Sequence, residues 1–330
     1  MNTDAWPLTM LLMRLGTVLW TLADATAHVL VIGSSGSGKS SAVLRTFARA
    51  FLKRDFGALI LCTKRDDRPM WLNWIAGACR SDVSIFAVGH HRFDLLGYLT
   101  RHPDPAVRNR ANIVEILEQM LGALLGNGNG RGDDEFFWKI SRQALLTNLL
   151  AIAMHSGQPV TFDLLWAILK AVPEDLDDAD HGAWRQSELG RCLRLAEART
   201  AGTREARDLN RAKEYFLIEY PNFPEKTRSC VVMAIQGMLS QFQDPVVEDL
   251  TSGLDFTPED VLEGRIVLVD LPANNVGRML TLGIKQLFQK SAMRRSAGPD
   301  DAITPPAFLA IDEFQNWITP KDAEFMATAR

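Results

Sequence analysis

Between positions 28 and 41 the chain reads HVLVIGSSGSGKSS, and no other stretch limits its fold as strongly. Gly33 and Gly38 bracket four residues and are followed by Lys39 and Ser40, the spacing of a phosphate-binding loop. Such a loop functions only between a strand and a helix. The apolar run at 29–32 predicts a buried strand ahead of it. Residues 39–52, with Val43, Leu44, Phe47, Ala48 and Phe51 on one face, predict a helix behind it. Gly33, Gly36 and Gly38 let the backbone curl so that successive N–H groups turn inward as an anion nest. The positive end of the helix dipole points at the same place. In this arrangement Lys39 reaches the β- and γ-phosphates, and the Ser40 hydroxyl ligates Mg²⁺. Ser34, Ser35, Ser37 and Ser41 complete the nucleotide-binding stretch, and ATP with Mg²⁺ is the expected cofactor pair.

A second segment supplies what the first lacks. PAFLAIDEFQ, at 306–315, is an apolar strand that ends in Asp312 and Glu313. Ligands of open α/β sheets bind at the carboxyl ends of the strands, so an acidic pair there can sit beside the metal of a bound nucleotide. The expected roles are Asp312 as metal ligand and Glu313 as the group that orients and deprotonates an attacking water. Water as the acceptor makes the expected reaction ATP hydrolysis.

The length of 330 residues sets a prior of about two domains, and 47% hydrophobic residues allow a sizeable core. A net charge of −4 excludes a global basic footprint for nucleic acid, so contact with DNA has to come from local surfaces. Cys62, Cys79, Cys192 and Cys230 are far apart and form no CxxC pair, which predicts reduced, buried thiols in a cytoplasmic protein. No apolar run is long enough to predict a transmembrane segment.

Along the chain, residues 13–24 predict a strand or hairpin, and 58–62 and 81–88 predict two further strands. This β-α-β alternation predicts a parallel sheet. From 95 to about 225 only helical periodicity is found: helices are predicted at 107–125, 135–155, 161–172 (capped by Thr161) and 184–220, the last broken near Gly202. Strands return at 266–269 and 308–311, with an amphipathic helix at 279–294 between them. The expected domains are therefore 1–94 and 226–330 as two parts of a nucleotide-binding domain, and 95–225 as an all-α insertion.

Other features carry weaker signals. The glycine-rich stretch 126–134 has no lysine in the right place and reads as a loop. EDLDDAD, at 174–180, lacks the glycine and terminal glutamate of a calcium loop and reads as a solvated acidic loop. Residues 185–213 carry eight basic against four acidic side chains, which suits either phosphate contacts or a salt-bridged solvated face. Asp270 ends a strand and fits either the nucleotide site or a turn cap. Lys64 reads as a phosphate-facing residue or a surface lysine in a turn. His90 and His91 have no metal-spaced partners.

Taken in order, these segments resemble the TraD/TraG-like type IV coupling proteins, within the FtsK/HerA group of DNA-pumping ATPases. The matching parts are the loop at 33–41, LILCTKRDD, RFDLLGYL, EFFWKISRQALLTNLL, FTPEDVLEGRIVLVDLP and FLAIDEFQNW. The resemblance implies a RecA-like P-loop NTPase core, with a mostly parallel sheet, that carries an all-α insertion. It implies a conjugative DNA translocase that acts as a hexameric ring, contacts a relaxosome and a secretion channel, and works at the cytoplasmic face of the bacterial inner membrane. Only the loop residues and the pair Asp312 and Glu313 carry over. A trans-acting arginine is expected of such rings, and Arg278 and Arg330 fit it by residue type alone. Family members often begin with membrane-spanning helices and continue past the acidic strand, so the chain reads as a truncated form. The alternative reading is a P-loop ATPase that serves as a switch or assembly factor without moving DNA.

Overall fold

The computed structural model describes residues 6–34, 38–125, 133–295 and 305–328; the side chains of 39–41 and 133–135 also fall outside the description. The chain divides into two compact units. One comprises Met1–Phe93, Leu254–Ala273 and Ile284–Arg330; the other comprises Asp94–Gly253 and Asn274–Gly283.

The first unit is an α/β, RecA-like core. It opens with an antiparallel hairpin of β1 (Leu11–Leu15) and β2 (Val18–Thr21), turned at Gly16 with φ +60°. Leu12 and Leu22 pack with Phe56 beneath it. The main sheet contains β3 (Gly57–Leu61), β4 (Val83–Phe86), β5 (Ile266–Val269) and β6 (Ala307–Ile311), in the order β4-β5-β3-β6 and all parallel. Strand β3 is buried along its whole length, as its unbroken apolar sequence requires of a central parallel strand. Ala58, Ile60, Ile266, Leu268 and Ala310 form one sheet face. Ala48 and Leu52 from the helix Arg45–Leu52, and Trp71, Trp74 and Ile75 from the helix Asp67–Gly77, cover that face.

Residues 29–32 correct the sequence reading. They form no strand, and Val29, Leu30 and Ile32 are exposed, Ile32 to 85%. A four-residue apolar run becomes a buried strand only when a ladder partner takes its N–H and C=O groups. Here β6 pairs with β3 alone among the described residues, and His28 turns the chain through φ +65° just before the run. Val29 and Leu30 instead line an apolar cavity of about 330 Å³ with Phe308, Leu309 and Phe325.

The second unit contains helices and no strand among its described residues. Its longest helix, Asp133–Ser156, buries Leu145, Leu149 and Ile152. It packs against Arg110–Leu125, Glu188–Thr200 and Glu205–Glu214. Thr161 caps Phe162–Lys170 by accepting from the Leu164 N–H at 3.0 Å. The break near Gly202 is real, with Gly202 at φ +76°. Two further helices, Glu225–Leu239 and Pro245–Leu250, follow in the same unit.

Residues 176–181 correct a second reading, because they form a short helix, Leu176–His181, rather than a loop. Asp175 caps it by accepting from the Asp178 N–H at 2.8 Å, and Asp177 and Asp178 lie in the first turn, where the helix dipole favours negative charge. The glycine-rich stretch at 126–132 lies outside the described residues.

Candidate active site at the carboxyl edge of the sheet

Parallel register decides which residues meet. Leu61 of β3 lies opposite both Val269 of β5 and Ile311 of β6. The residues that follow each strand, Cys62 to Lys64, Asp270, and Asp312 with Glu313, therefore share one edge of the sheet. Sequence separations of about 250 residues between Lys64 and the acidic pair vanish in this register.

Asp312 is held by its own loop. Its Oδ1 accepts from the Glu313 N–H at 3.0 Å, and its carbonyl accepts from Thr63 Oγ1 at 3.1 Å. Trp317 Nε1 donates to the same Thr63 oxygen at 3.0 Å, so one hydroxyl ties the β3 turn to both sides of the β6 turn. Glu313 adopts the left-handed region, φ 51° and ψ 51°, which a residue with a Cβ enters at a cost of about 1–3 kcal/mol. Strain of this kind persists only where surrounding contacts over-determine it, and it concentrates at functional positions.

Lys64 is the residue that sequence reasoning left undecided. Its Nζ lies 2.7 Å from Glu313 Oε1 and 3.3 Å from Asp312 Oδ2. The hydrogen bond to Glu313, reinforced by Asp312, raises the ammonium's pKa above its ordinary value, so Lys64 stays charged. The main-chain N–H groups of Thr63 and Lys64 both donate to Asp67 Oδ2, at 2.8 and 2.9 Å, which fixes the turn from which Lys64 projects. Asp270 Oδ2 accepts from Arg68 Nη1 at 3.3 Å. A cavity of about 380 Å³ lies at this edge, lined by Lys64, Arg65, Arg68, Asp270 and Pro272.

The candidate phosphate loop is described in part. Gly38 has φ +86°, the conformation that glycine supplies at the entry to a tight helical start, and Lys39–Leu44 form a wide first turn continued by Arg45–Leu52. Ser35, Gly36 and Ser37 lie outside the described residues, as do the side chains of Lys39, Ser40 and Ser41. Among the described residues no group of three or more His, Cys, Asp or Glu could cage a metal ion. The donors present, a strand-end carboxylate at Asp312 and a serine hydroxyl in the sequence at Ser40, fit Mg²⁺. That ion binds through one or two protein oxygens and otherwise keeps water and phosphate ligands.

The remaining candidates divide. Three of the four acids within 185–213 are ion-paired: Glu188 with Arg191, Glu197 with Lys213, and Asp208 with Arg110 and His155. That stretch is therefore salt-bridged in part, through Arg191 and Lys213 among its eight basic side chains. All four cysteines are free thiols; Cys62 and Cys192 are buried as expected, whereas Cys79 and Cys230 are exposed. Burial pushes the Cys192 thiol up to about 11, with Glu188 adding to the shift, so it is unreactive at neutral pH. No helix among the described residues is long and apolar enough to cross a membrane.

Comparison with curated proteins gave no match. The family model for type IV secretory system conjugative DNA transfer matches residues 4–317, a span that includes both halves of the site and the helical unit between them. The chain belongs to the type IV secretory system conjugative DNA transfer family.

Proposed function

We infer that this chain hydrolyses ATP to drive DNA through a conjugative secretion apparatus. The observation that carries the reading is the placement of Asp312 and Glu313 at the carboxyl end of β6, within a chain whose family works in conjugative DNA transfer. Gly33 to Ser41 bind the triphosphate, and Lys39 balances the charge of the transferred phosphoryl group. Mg²⁺, held through Ser40 and Asp312, neutralises developing phosphate charge when bound. Glu313 accepts a proton from water while the water oxygen bonds to the γ-phosphorus and the bond to the β-phosphate oxygen breaks, releasing ADP and phosphate. Its unusual backbone conformation supports that role.

DNA is the proposed cargo, and a ring of this chain is the proposed working form. Contacts with a relaxosome and a secretion channel at the inner membrane follow from the same reading.

The test is ATP turnover with and without DNA, measured beside nucleotide binding, for wild type and Glu313→Gln. The reading expects DNA-stimulated turnover in wild type. The variant should bind ATP within about twofold of wild type and lose at least 100-fold in rate, the scale of a positioned general base. Turnover without DNA stimulation and without salt-sensitive DNA affinity would favour a switch or assembly role. Equal turnover in wild type and variant would refute the assignment of Glu313.

A further inference from the structure

We propose that Lys64 is a restraint on the hydrolytic carboxylates, holding Glu313 and Asp312 in a paired resting arrangement that opens when a metal–nucleotide complex engages them. The proposal rests on the reading of Glu313 as the water-activating group and names how that group is regulated.

The hydrogen bonds around the pair support it. Glu313 Oε1 accepts from Lys64 at 2.7 Å, and its Oε2 accepts from Gln315 Nε2 at 2.6 Å. Both carboxylate oxygens of Glu313 are therefore engaged by protein donors. Asp312 Oδ2, an oxygen suited to a metal, faces the same ammonium at 3.3 Å. A divalent cation and an ammonium compete for one carboxylate, so the cation gains its ligand by displacing Lys64.

The surroundings allow that displacement. The Lys64 main chain is fixed by Asp67, while its side chain is 53% exposed and free to rotate about four bonds. The cavity at this edge offers it a polar destination, where Asp270 supplies a carboxylate already shared with Arg68. Arg65 and Arg68 are the other charged side chains lining that space.

Linkage supplies the test. If metal–nucleotide binding breaks the Lys64 pairs, removing Lys64 must tighten that binding by the same factor. The full chain is titrated with a fluorescent non-hydrolysable ATP analogue, with Mg²⁺ and in EDTA, for wild type, Lys64→Met, Lys64→Arg and Glu313→Gln. Lys64→Met is expected to bind the Mg²⁺ complex roughly threefold to tenfold tighter, the range for two partly exposed pairs, with metal-free binding unchanged. Its ATP turnover in the absence of DNA should rise by a similar factor, and Lys64→Arg should return both quantities toward wild type. Unchanged or weaker Mg²⁺-dependent binding in Lys64→Met overturns the proposal. Loss of turnover in Glu313→Gln beside a neutral Lys64→Met discards the restraint alone, whereas full turnover in Glu313→Gln discards the underlying assignment.

Discussion

Lys285 Nζ lies 2.7 Å from Asp322 Oδ2, with the two side chains 1% and 3% exposed, and the pair joins the helix Asn275–Arg294 to the helix Pro320–Thr328 just beyond the acidic loop. Lys285 also donates to the Trp317 carbonyl at 2.6 Å. Asp322 accepts from Gln289 Nε2 at 2.7 Å and from the Thr319 N–H at 2.6 Å. Burial holds the Lys285 ammonium below its ordinary pKa despite the opposing pull of Asp322.

Removing one partner of such a pair leaves a buried charge uncompensated. Asp322→Ala should cost about 3–5 kcal/mol in urea unfolding, whereas Lys285→Met combined with Asp322→Leu should cost far less. The pH dependence has a definite sign. Because the folded-state value of Lys285 lies below 10.5, the unfolded chain binds more protons between the two values, and stability rises with pH across that window. Removing Asp322 lowers the folded-state value of Lys285 further, so the variant gains more stability with rising pH than wild type and the Asp322→Ala deficit should shrink as alkaline pH is approached; a pH-independent deficit would contradict the account.

Gly57 opens β3 where another backbone crosses it. A Cβ there would lie 1.7 Å from the Val261 carbonyl oxygen and 3.2 Å from Gly264 Cα, and neither is a side chain that can rotate away. Gly57→Ala should destabilise the chain by roughly 2–3 kcal/mol, read as a lowered urea midpoint with an unchanged slope.

How far the sequence revealed this structure depended on whether the signal was local. Strands β3, β5 and β6 are apolar runs, and Thr161 and Gly202 are local punctuation, so each was legible. Residues 29–32 have the same apolar signature as β5, yet they have no ladder partner among the described residues, and pairing is not written in four residues. Asp177 and Asp178 looked like loop residues because their helical role depends on a cap at Asp175. Asp312 and Glu313 were legible as an acidic strand end. Their pairing with Lys64 was not, since it arises from parallel register between strands far apart in the chain. Lys285 lies within a helix legible as amphipathic, where a lysine ordinarily faces water.

Asp208 joins three helices by accepting from Arg110 and contacting His155. Partial burial raises its pKa, but the His155 and Arg110 contacts outweigh that and hold the carboxyl below 3.8. Its stabilising contribution is therefore complete above pH 3.8 and is lost as pH falls through the lower folded-state value. Asp208→Asn should cost about 1 kcal/mol at pH 7 after allowance for solvent screening, with the difference shrinking in urea melts as pH falls below 3.8.

Glu313 gives a prediction that separates strain from chemistry. Glu313→Ala and Glu313→Gly both delete the carboxylate, so both should lose turnover. Glycine adopts a left-handed backbone freely and alanine does not, so the glycine variant should be about 1 kcal/mol more stable than the alanine variant. Equal stabilities would show that the loop relaxes when the side chain is removed.

The proposed meeting of the phosphate loop with the acidic strand end is best tested by metal affinity. Mn²⁺ substituted for Mg²⁺ can be counted by electron paramagnetic resonance in the presence of a non-hydrolysable ATP analogue, in wild type and Asp312→Asn. The account predicts that the variant binds Mn²⁺ with the nucleotide at least tenfold more weakly, while metal-free nucleotide affinity stays within about twofold. Equal Mn²⁺ affinity in the two proteins would show that Asp312 takes no part in holding the metal, and would contradict the account at its centre.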